Sequence, residues 1–234
     1  MCLSADIGEL PVQVKAAALV GVPKLVIFDC DGVLVQSEEI TLSVLISMLN
    51  ALTQGDTLLD VTRFIEHFRG RKIAECLREA EGLLNVSVDD AFEQRFRERA
   101  LHALTLSLKA TDGMLEVLEK LDVPYCVASS APRNKIEHCL RLAGLFSYFE
   151  GRIFSCYELG SWKPDPLVFL TACRTYSIDV SDALVVEDSV TGIQAAVAAN
   201  IKVLGFGPAH RHSQLAAAGA LPIADIREVL TIFN

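Results

Sequence analysis

Residues 25–34 read LVIFDCDGVL, and this stretch decides the fold class. Its first four residues are apolar and partly β-branched, which predicts a buried strand. The strand ends in Asp29 and Asp31, and side chains two positions apart along a strand lie on the same side. Two carboxylates this close repel each other unless a cation or a shared proton compensates their charge. The alternative is a polar turn at the end of the strand, because Asp31-Gly32 is also a common turn sequence.

The bulk properties of the chain narrow the class of protein. Its 234 residues suffice for one large or two modest domains, and a hydrophobic fraction of 51% suits an aliphatic α/β core. The net charge of -9 argues against a general nucleic-acid binder, which needs a basic surface. The seven cysteines include no Cys-x-x-Cys pair, so we expect reduced thiols in a cytoplasmic protein.

Residues 1–22 are expected to form an N-terminal leader that packs on the surface or frays. The apolar part of this segment, residues 11–22, is too short to span a bilayer. Asp6 and Glu9 stand where a signal peptide would carry Lys or Arg. We therefore expect no association with a membrane.

Apolar runs and helical patterns alternate in the second half of the chain, which predicts a parallel sheet built from βαβ units. The predicted strands after the first are 125–129, 152–154, 183–187 and 202–206, and the predicted helices between them are 112–121, 133–143, 165–176 and 191–199. The segment after the first strand has only helical patterns, with predicted helices at 38–52, 57–68, 71–83 and 88–108. The sequence therefore predicts an α/β core, residues 23–38 and 109–234, interrupted by an all-helical insertion, residues 39–108.

Polar side chains follow the later strands of the predicted sheet as well as the first. Ser129 and Ser130 end the second strand, Lys163 lies in the loop after the third, and Glu187 and Asp188 end the fourth. Because the carboxyl ends of parallel strands meet at one edge, we expect these residues beside the carboxylate pair of the first strand. Taken one at a time, the serines and acids could cap helices and the lysine could be solvated. Their shared location at one edge favours a site.

The residue types at this edge suit phosphoryl chemistry. Three or four carboxylates suit a hard cation, and Mg²⁺ is the usual choice beside phosphates. A lysine and the backbone amides at helix starts suit a phosphoryl group. One aspartate of the pair can attack phosphorus and form an aspartyl phosphate. The other can protonate the leaving oxygen and later take a proton from water.

Four segments carry a resemblance to a known family, and they occur in the order FDCDGVLVQSE, CVASSA, SWKPDP and VVEDSVTG. With these motifs the chain resembles phosphatases of the haloacid dehalogenase superfamily, in the branch with a helical cap inserted after the first strand. The resemblance covers essentially residues 24–230. It implies a Rossmann-like core domain with an inserted all-helical cap domain over residues 39–108.

The resemblance also implies a role for each motif residue. It makes Asp29 the nucleophile and Asp31 the general acid and base. Ser129 and the backbone amide of Ser130 would hold the phosphate, and Lys163 would bridge the nucleophile and the phosphate.

An Mg²⁺ cofactor follows from the same resemblance. Its ligands would be Asp29, the carbonyl of Asp31, Asp188 and, directly or through a water molecule, Glu187.

Within the superfamily, Asp31 distinguishes the chain from true dehalogenases, which lack this acid. The chain is similar to the β-phosphoglucomutase-like and 6-phosphogluconate phosphatases. A sugar-phosphate mutase is the first alternative, but Thr41 and Ile73 stand where β-phosphoglucomutase has a histidine and an arginine, which favours hydrolysis. A non-catalytic protein that binds a phosphorylated metabolite is the second, and it would more naturally have lost one of the motif residues.

Residues 67–72, HFRGRK, resemble the substrate-facing loop of the cap. Arg69 and Lys72 are therefore candidate contacts to a sugar phosphate or a phosphorylated sugar acid, although a solvated basic turn is an equal alternative. The expected partner is a small phosphorylated metabolite, with no nucleic acid and no membrane, bound by a monomer or homodimer. The sequence His210-Arg211-His212 suggests a metal site at first, but its place after the last motif favours a solvated loop.

Overall fold

The computed structural model describes residues 21–53, 58–68 and 73–233. The chain divides into two compact units. One unit contains the chain up to Val35 and from Ala110 onward, and the other is Gln36–Lys109. Nearly all of the predicted leader, residues 1–22, lies outside the described residues.

The first unit is built on a six-stranded, fully parallel sheet with the order β3-β2-β1-β4-β5-β6. The strands are β1 Leu25–Phe28, β2 Tyr125–Ser129, β3 Ile153–Ser155, β4 Ala183–Glu187, β5 Lys202–Phe206 and β6 Leu221–Ile223. The chain adds strands on one side of β1 and then on the other, so the strand order reverses between β1 and β4. This is the Rossmann-like α/β fold that the sequence predicted, and its switch point lies at the end of β1.

Eleven α-helices accompany the strands in the described part of the chain. They are α1 Ser37–Asn50, α2 Val61–Phe68, α3 Ile73–Leu84, α4 Phe92–Ser107, α5 Met114–Lys120, α6 Arg133–Leu142, α7 Phe146–Phe149, α8 Cys156–Leu159, α9 Leu167–Tyr176, α10 Val190–Ala198 and α11 His212–Ala217. Short 3₁₀ helices occur at Val180–Asp182, Ala209–Arg211 and Ile226–Ile232. Helices α1–α4 belong to the unit Gln36–Lys109, and α5–α11 belong to the sheet-containing unit.

The central strands are apolar because helices cover both faces of the sheet. All four residues of β1 and all five of β4 are buried. On one face, Phe169 of α9 and Ile193 of α10 are fully buried in the same hydrophobic cluster as Ile27. The next residue, Phe28, packs edge-on against Phe149 of α7, with 6.5 Å between ring centroids. This is why β1 has a continuous apolar sequence rather than an alternating one. The strand positions at its end are therefore held in a rigid, dry framework.

The unit Gln36–Lys109 has a hydrophobic core of its own, and its described residues form helices without a strand. Two of these helices begin later than predicted. Helix α2 begins at Val61 because the side chain of Asp60 accepts a hydrogen bond from the Arg63 amide (2.8 Å) and caps the first turn. Before α4, Asp89 forms a turn by accepting the Ala91 amide on its side chain (3.1 Å).

The chain leaves and re-enters the sheet-containing unit at neighbouring backbone positions. Val35 and Ala110 form an antiparallel bridge, and the Thr111 amide donates to the Leu34 carbonyl (3.0 Å). The segment between Val35 and Ala110 therefore begins and ends at adjacent positions of the backbone. In the described residues, no helix combines the length and apolar character needed to cross a membrane.

Candidate active site at the switch point

Asp29 occupies the switch point of the sheet. Its amide donates to the carbonyl of Val186 in β4 (2.9 Å), so the backbone pairing of β1 with β4 continues one residue beyond the strand. The chain then turns sharply at Gly32, whose φ of +88° lies in the left-handed region that glycine adopts without strain. The Gly32 amide closes this turn on the carbonyl of Val35 (2.7 Å). The turn keeps Asp31 close to the same edge.

Lys163 comes from the loop between α8 and α9 and joins three strands by hydrogen bonds. Its ammonium donates to Asp29 Oδ1 (2.5 Å), Glu187 Oε1 (2.7 Å) and the carbonyl of Ala128 in β2 (3.0 Å). These contacts use all three N–H donors of a side chain that is 4% exposed. Burial alone would lower the pKa of Lys163, but the carboxylates of Asp29 and Glu187 more than compensate and raise it. Lys163 is therefore a permanent cation at the end of β1.

The carboxyl group of Asp29 is poorly solvated. Burial raises the pKa of Asp29 from 3.8 to about 7, although the Lys163 ammonium opposes this rise. The negative charges of Glu187 and Asp31 contribute to this rise. A carboxylate in such a place depends on cations for its stability.

Asp29, Glu187 and Asp188 form a buried acidic cluster. One ligand oxygen from each lies within 4.8 Å of the other two. Two glycines allow the acids to approach the backbone this closely. A Cβ at Gly32 would lie 2.3 Å from Asp188 Oδ2, and one at Gly192 would lie 1.8 Å from Glu187 Oε1.

The donor set of this cluster fits a magnesium ion. All of its side-chain ligands are carboxylate oxygens, which hard divalent cations prefer. Three acids share the space with one ammonium, that of Lys163, and the negative charge of Glu187 contributes to the raised pKa of Asp29. Ser189 donates from its amide (3.0 Å) and hydroxyl (2.9 Å) to Glu187 Oε2, which orients that carboxylate. A cation among these oxygens would relieve the remaining repulsion.

The predicted phosphate-binding serines lie at the end of β2, the strand next to β1. Ser129 is buried, and its hydroxyl oxygen accepts the Ala131 amide (3.1 Å) in the turn before α6. This contact is not the helix cap given as the alternative, because α6 begins at Arg133 after Pro132 and has no side-chain cap. Ser130 is exposed, and its Oγ lies 4.0 Å from the sulfur of Cys156. Their contact with phosphate stays a prediction. Arg69 and Lys72, the predicted cap contacts, lie outside the described residues.

Two basic residues at this edge were not among the predicted site residues. Lys135, in the first turn of α6, donates to Asp31 Oδ2 (3.0 Å). Arg211 donates to the carbonyl of Asp188 (2.9 Å), and its Nη1 lies 3.9 Å from Asp188 Oδ2. The expectation of a solvated loop at His210–His212 is therefore wrong for Arg211, whose side chain is only 10% exposed because it packs against this acid. The surplus of acids over basic residues among the predicted site residues was the available signal.

Trp162 precedes Lys163 but does not enter the acidic cluster. Its ring is 45% exposed and packs edge-on against Tyr157, with 5.3 Å between ring centroids. The indole therefore covers the outside of the loop that delivers the lysine.

The fold and the site together define an α/β enzyme with a carboxylate–lysine site at the switch point of its sheet. The family model of haloacid dehalogenase-like hydrolases matches residues 23–200. The 6-phosphogluconate phosphatase of Escherichia coli (strain K12) is 31% identical over 183 residues, which cover 77% of this chain and 81% of that protein.

Solved structures of similar proteins point to the same family as the family model. A conserved haloacid dehalogenase-like protein of unknown function from Agrobacterium tumefaciens str. C58 superposes with a TM-score of 0.82 at 30% identity, over 90% of this chain and 97% of that one. A HAD family hydrolase from Deinococcus radiodurans R1, solved with bound phosphate and sodium, gives a TM-score of 0.76 at 28% identity, over 88% and 92%. The chain belongs to the haloacid dehalogenase-like hydrolase family.

Proposed function

We propose that this protein is a Mg²⁺-dependent phosphatase. It hydrolyses the phosphomonoester of a small metabolite through an aspartyl-phosphate intermediate. The observation that carries this proposal is the position of Asp29, a buried carboxylate at the end of β1 whose Oδ1 is held by Lys163 at 2.5 Å. One oxygen of Asp29 is thus oriented by a cation, and the other remains available for attack on phosphorus.

The chemistry divides between the two aspartates of the first motif. Asp29 attacks phosphorus, the bond from phosphorus to the ester oxygen breaks, and the carboxyl group of Asp31 gives its proton to the leaving oxygen. In the second half, Asp31 takes a proton from water as that water attacks the aspartyl phosphate. Asp29 is regenerated and inorganic phosphate leaves.

The surrounding cations act on the charge of the transferring group. Lys163 stays hydrogen-bonded at the nucleophile and, in the proposed complex, also faces the phosphoryl oxygens. Asp29, the carbonyl of Asp31, Asp188 and, directly or through a water molecule, Glu187 would hold Mg²⁺, which would supply electrostatic stabilisation of the phosphoryl oxygens. Ser129 and the Ser130 amide would hold the remaining oxygens.

The proposed substrate class is a sugar phosphate or a phosphorylated sugar acid. Support comes from the similarity to the Escherichia coli 6-phosphogluconate phosphatase over most of both chains. In this proposal residues 39–108 form the cap domain, and Arg69 and Lys72 contact the part of the substrate away from the phosphate. A panel of sugar phosphates, phosphorylated acids and nucleotides, assayed for phosphate release with and without Mg²⁺, tests the class.

The nucleophile is tested by Asp29→Asn, which removes the attacking oxygen and keeps the size of the side chain. We expect turnover of 4-nitrophenyl phosphate to fall by about 10³-fold or more, because no other group in the proposed mechanism attacks phosphorus. The matched control is Asp182→Asn, the same change at a partly exposed aspartate whose side chain accepts a hydrogen bond from Lys24 (2.7 Å). Retained turnover in Asp29→Asn would refute the assignment.

The intermediate is tested independently by adding borohydride during turnover. An aspartyl phosphate at Asp29 is reduced to a homoserine side chain, and peptide mass analysis locates the change. The sugar-phosphate mutase alternative gives a different result in the substrate panel. A mutase forms an isomerised product and releases little phosphate once a bisphosphate activator is present.

A further inference from the structure

Lys135 is a cation at the proposed active site that the mechanism above does not use. It lies in the first turn of α6, the helix that begins just after Ser129 and Ser130. Its ammonium donates to Asp31 Oδ2 at 3.0 Å, across 104 residues of sequence. The pair is formed within the sheet-containing unit, at the edge where β1 and β2 end.

The backbone of Lys135, from which the side chain extends, is held in the first turn of α6. The Lys135 amide donates to the carbonyl of Pro132 (3.0 Å), and the side chain of Asn134 accepts the same amide (2.9 Å). The side chain is 42% exposed, so part of it is packed while its end reaches the carboxylate. Lys135 therefore presents its charge to Asp31 from a helix rather than from a loop.

Asp31 needs such a partner because its neighbours repel it. Asp29 lies two residues away and carries the attacking carboxylate, and the negative charge of Asp31 is one of the smaller causes of the raised pKa of Asp29. Repulsion alone would turn the Asp31 carboxyl group away from Asp29 and toward solvent. The hydrogen bond from Lys135 instead holds Oδ2 of Asp31 in place. Because the carboxyl group is planar, this also restricts where Oδ1 can lie.

We propose that Lys135 is a positioning residue for the leaving-group half of the reaction. It holds the Asp31 carboxyl group where it delivers its proton to the departing ester oxygen. This inference rests on the proposed phosphatase function. The step itself is unchanged: phosphorus bonds to Asp29, the ester oxygen takes the electron pair of the broken bond, and the proton of Asp31 moves to that oxygen. Lys135 exchanges no proton and forms no bond to substrate.

This role predicts a dependence on the leaving group. A good leaving group such as 4-nitrophenolate departs with little help from a proton, whereas phenolate needs more help. Loss of the ammonium should therefore affect phenyl phosphate more than 4-nitrophenyl phosphate. The two substrates are of similar size and differ in the stability of the departing oxygen.

The experiment measures kcat/KM of Lys135→Met on both aryl phosphates in the full-length protein with Mg²⁺. This parameter reports the first half of the reaction, in which the ester bond breaks. We expect the loss on phenyl phosphate to exceed the loss on 4-nitrophenyl phosphate by on the order of tenfold. Lys135→Arg keeps a cationic donor at this position and should recover most of the difference.

The matched control is Lys24→Met, which removes an ammonium from another Lys–Asp pair of the same unit, with Asp182 at 2.7 Å. It should leave both substrates unaffected. Thermal unfolding of each variant reports folding, and Lys135→Gln provides a second neutral side chain if Lys135→Met does not fold. An equal loss on both substrates, or the same pattern in Lys24→Met, would overturn the positioning role. Absence of turnover in the unaltered protein would instead refute the proposed function, and this inference with it.

Discussion

Replacing Gly192 by alanine should destabilise the protein, although alanine is ordinarily the better helix residue. Gly192 lies in α10, and its backbone is in the ordinary helical region, so glycine is not required there by a positive φ. A Cβ at this position would lie 1.8 Å from Glu187 Oε1 and 2.0 Å from its Cδ. Cβ atoms essentially never approach another heavy atom closer than 3.0 Å. The Glu187 carboxylate would therefore have to move by about 1 Å or more.

The magnitude follows from the hydrogen bonds that this movement would break. Glu187 accepts from Lys163 (2.7 Å) and from the amide and hydroxyl of Ser189 (3.0 and 2.9 Å). Hydrogen bonds to a charged group contribute about 1.5–3 kcal/mol each, and a buried charge that loses its partner is strongly destabilising. Alanine regains about 1 kcal/mol through helix propensity. If the movement breaks two of these three bonds, the net loss in the free energy of unfolding is about 2–5 kcal/mol.

The assay is urea unfolding of Gly192→Ala beside Gly82→Ala. Gly82 is the matched control, because it also lies in a helix, α3, and a Cβ there meets no atom within 4 Å. Gly82→Ala should be neutral or stabilising by about 0.5–1 kcal/mol. Opposite signs for the same substitution would show that the close approach of Glu187 decides the outcome.

Phosphatase activity gives a second measurement on the same variants. In Gly192→Ala the displaced carboxylate no longer holds Lys163 from the β4 side, so turnover should fall together with stability. If Gly192→Ala is as stable as the unaltered protein and fully active, the reasoning from the close approach is wrong. Gly82→Ala should retain full activity.

Two further predictions concern an ion pair and the thiols. Hydrogen bonds from Arg133 (one of them 2.7 Å) lower the pKa of Glu158 from its ordinary 4.5, so the pair stabilises the folded state above that pH and its contribution is lost as pH falls through the lowered pKa. Glu158→Gln should thus cost up to about 1 kcal/mol at pH 7 and less at pH 3, as measured by urea unfolding at both values; an equal effect at both would contradict the assignment. The six described cysteines are buried thiols, and burial raises the pKa of Cys139 and Cys173 to about 11. In a Cys2→Ser background, an aromatic disulfide reagent should react with them only as the protein unfolds, and rapid reaction of the native protein would contradict this.

Local sequence patterns were enough to predict most of the parallel sheet. The bounds of β2, β4 and β5 agree with the predicted strands, and β3 is shifted by one residue, from 152–154 to 153–155. Strand β6 was missed because Leu221–Ile223 has three residues with a proline in the middle, a sequence that argues against a strand except at an edge. Its place at the edge of the sheet explains why this proline is tolerated.

The part of the candidate site that lies at the carboxyl ends of the strands could be predicted from the sequence. Asp29, Lys163, Glu187 and Asp188 come together because parallel strands align their carboxyl ends, which depends on topology alone. The catalytic and metal-binding roles of these residues remain predictions. The contact between Lys135 and Asp31 depends instead on the direction of α6 and on a long side chain. No local pattern specifies such a contact.

The side-by-side departure and return of the chain at Val35 and Ala110 has an evolutionary consequence. For the stability of the sheet, the whole segment between these residues counts as one long loop whose ends must be brought together. The entropy of closing such a loop rises only logarithmically, by about 0.6 kcal/mol for each doubling of its length. Descendants of this chain can therefore lengthen, shorten or exchange that segment at little expense to the sheet. The inserted segment and the sheet are thus free to diverge at different rates within one gene.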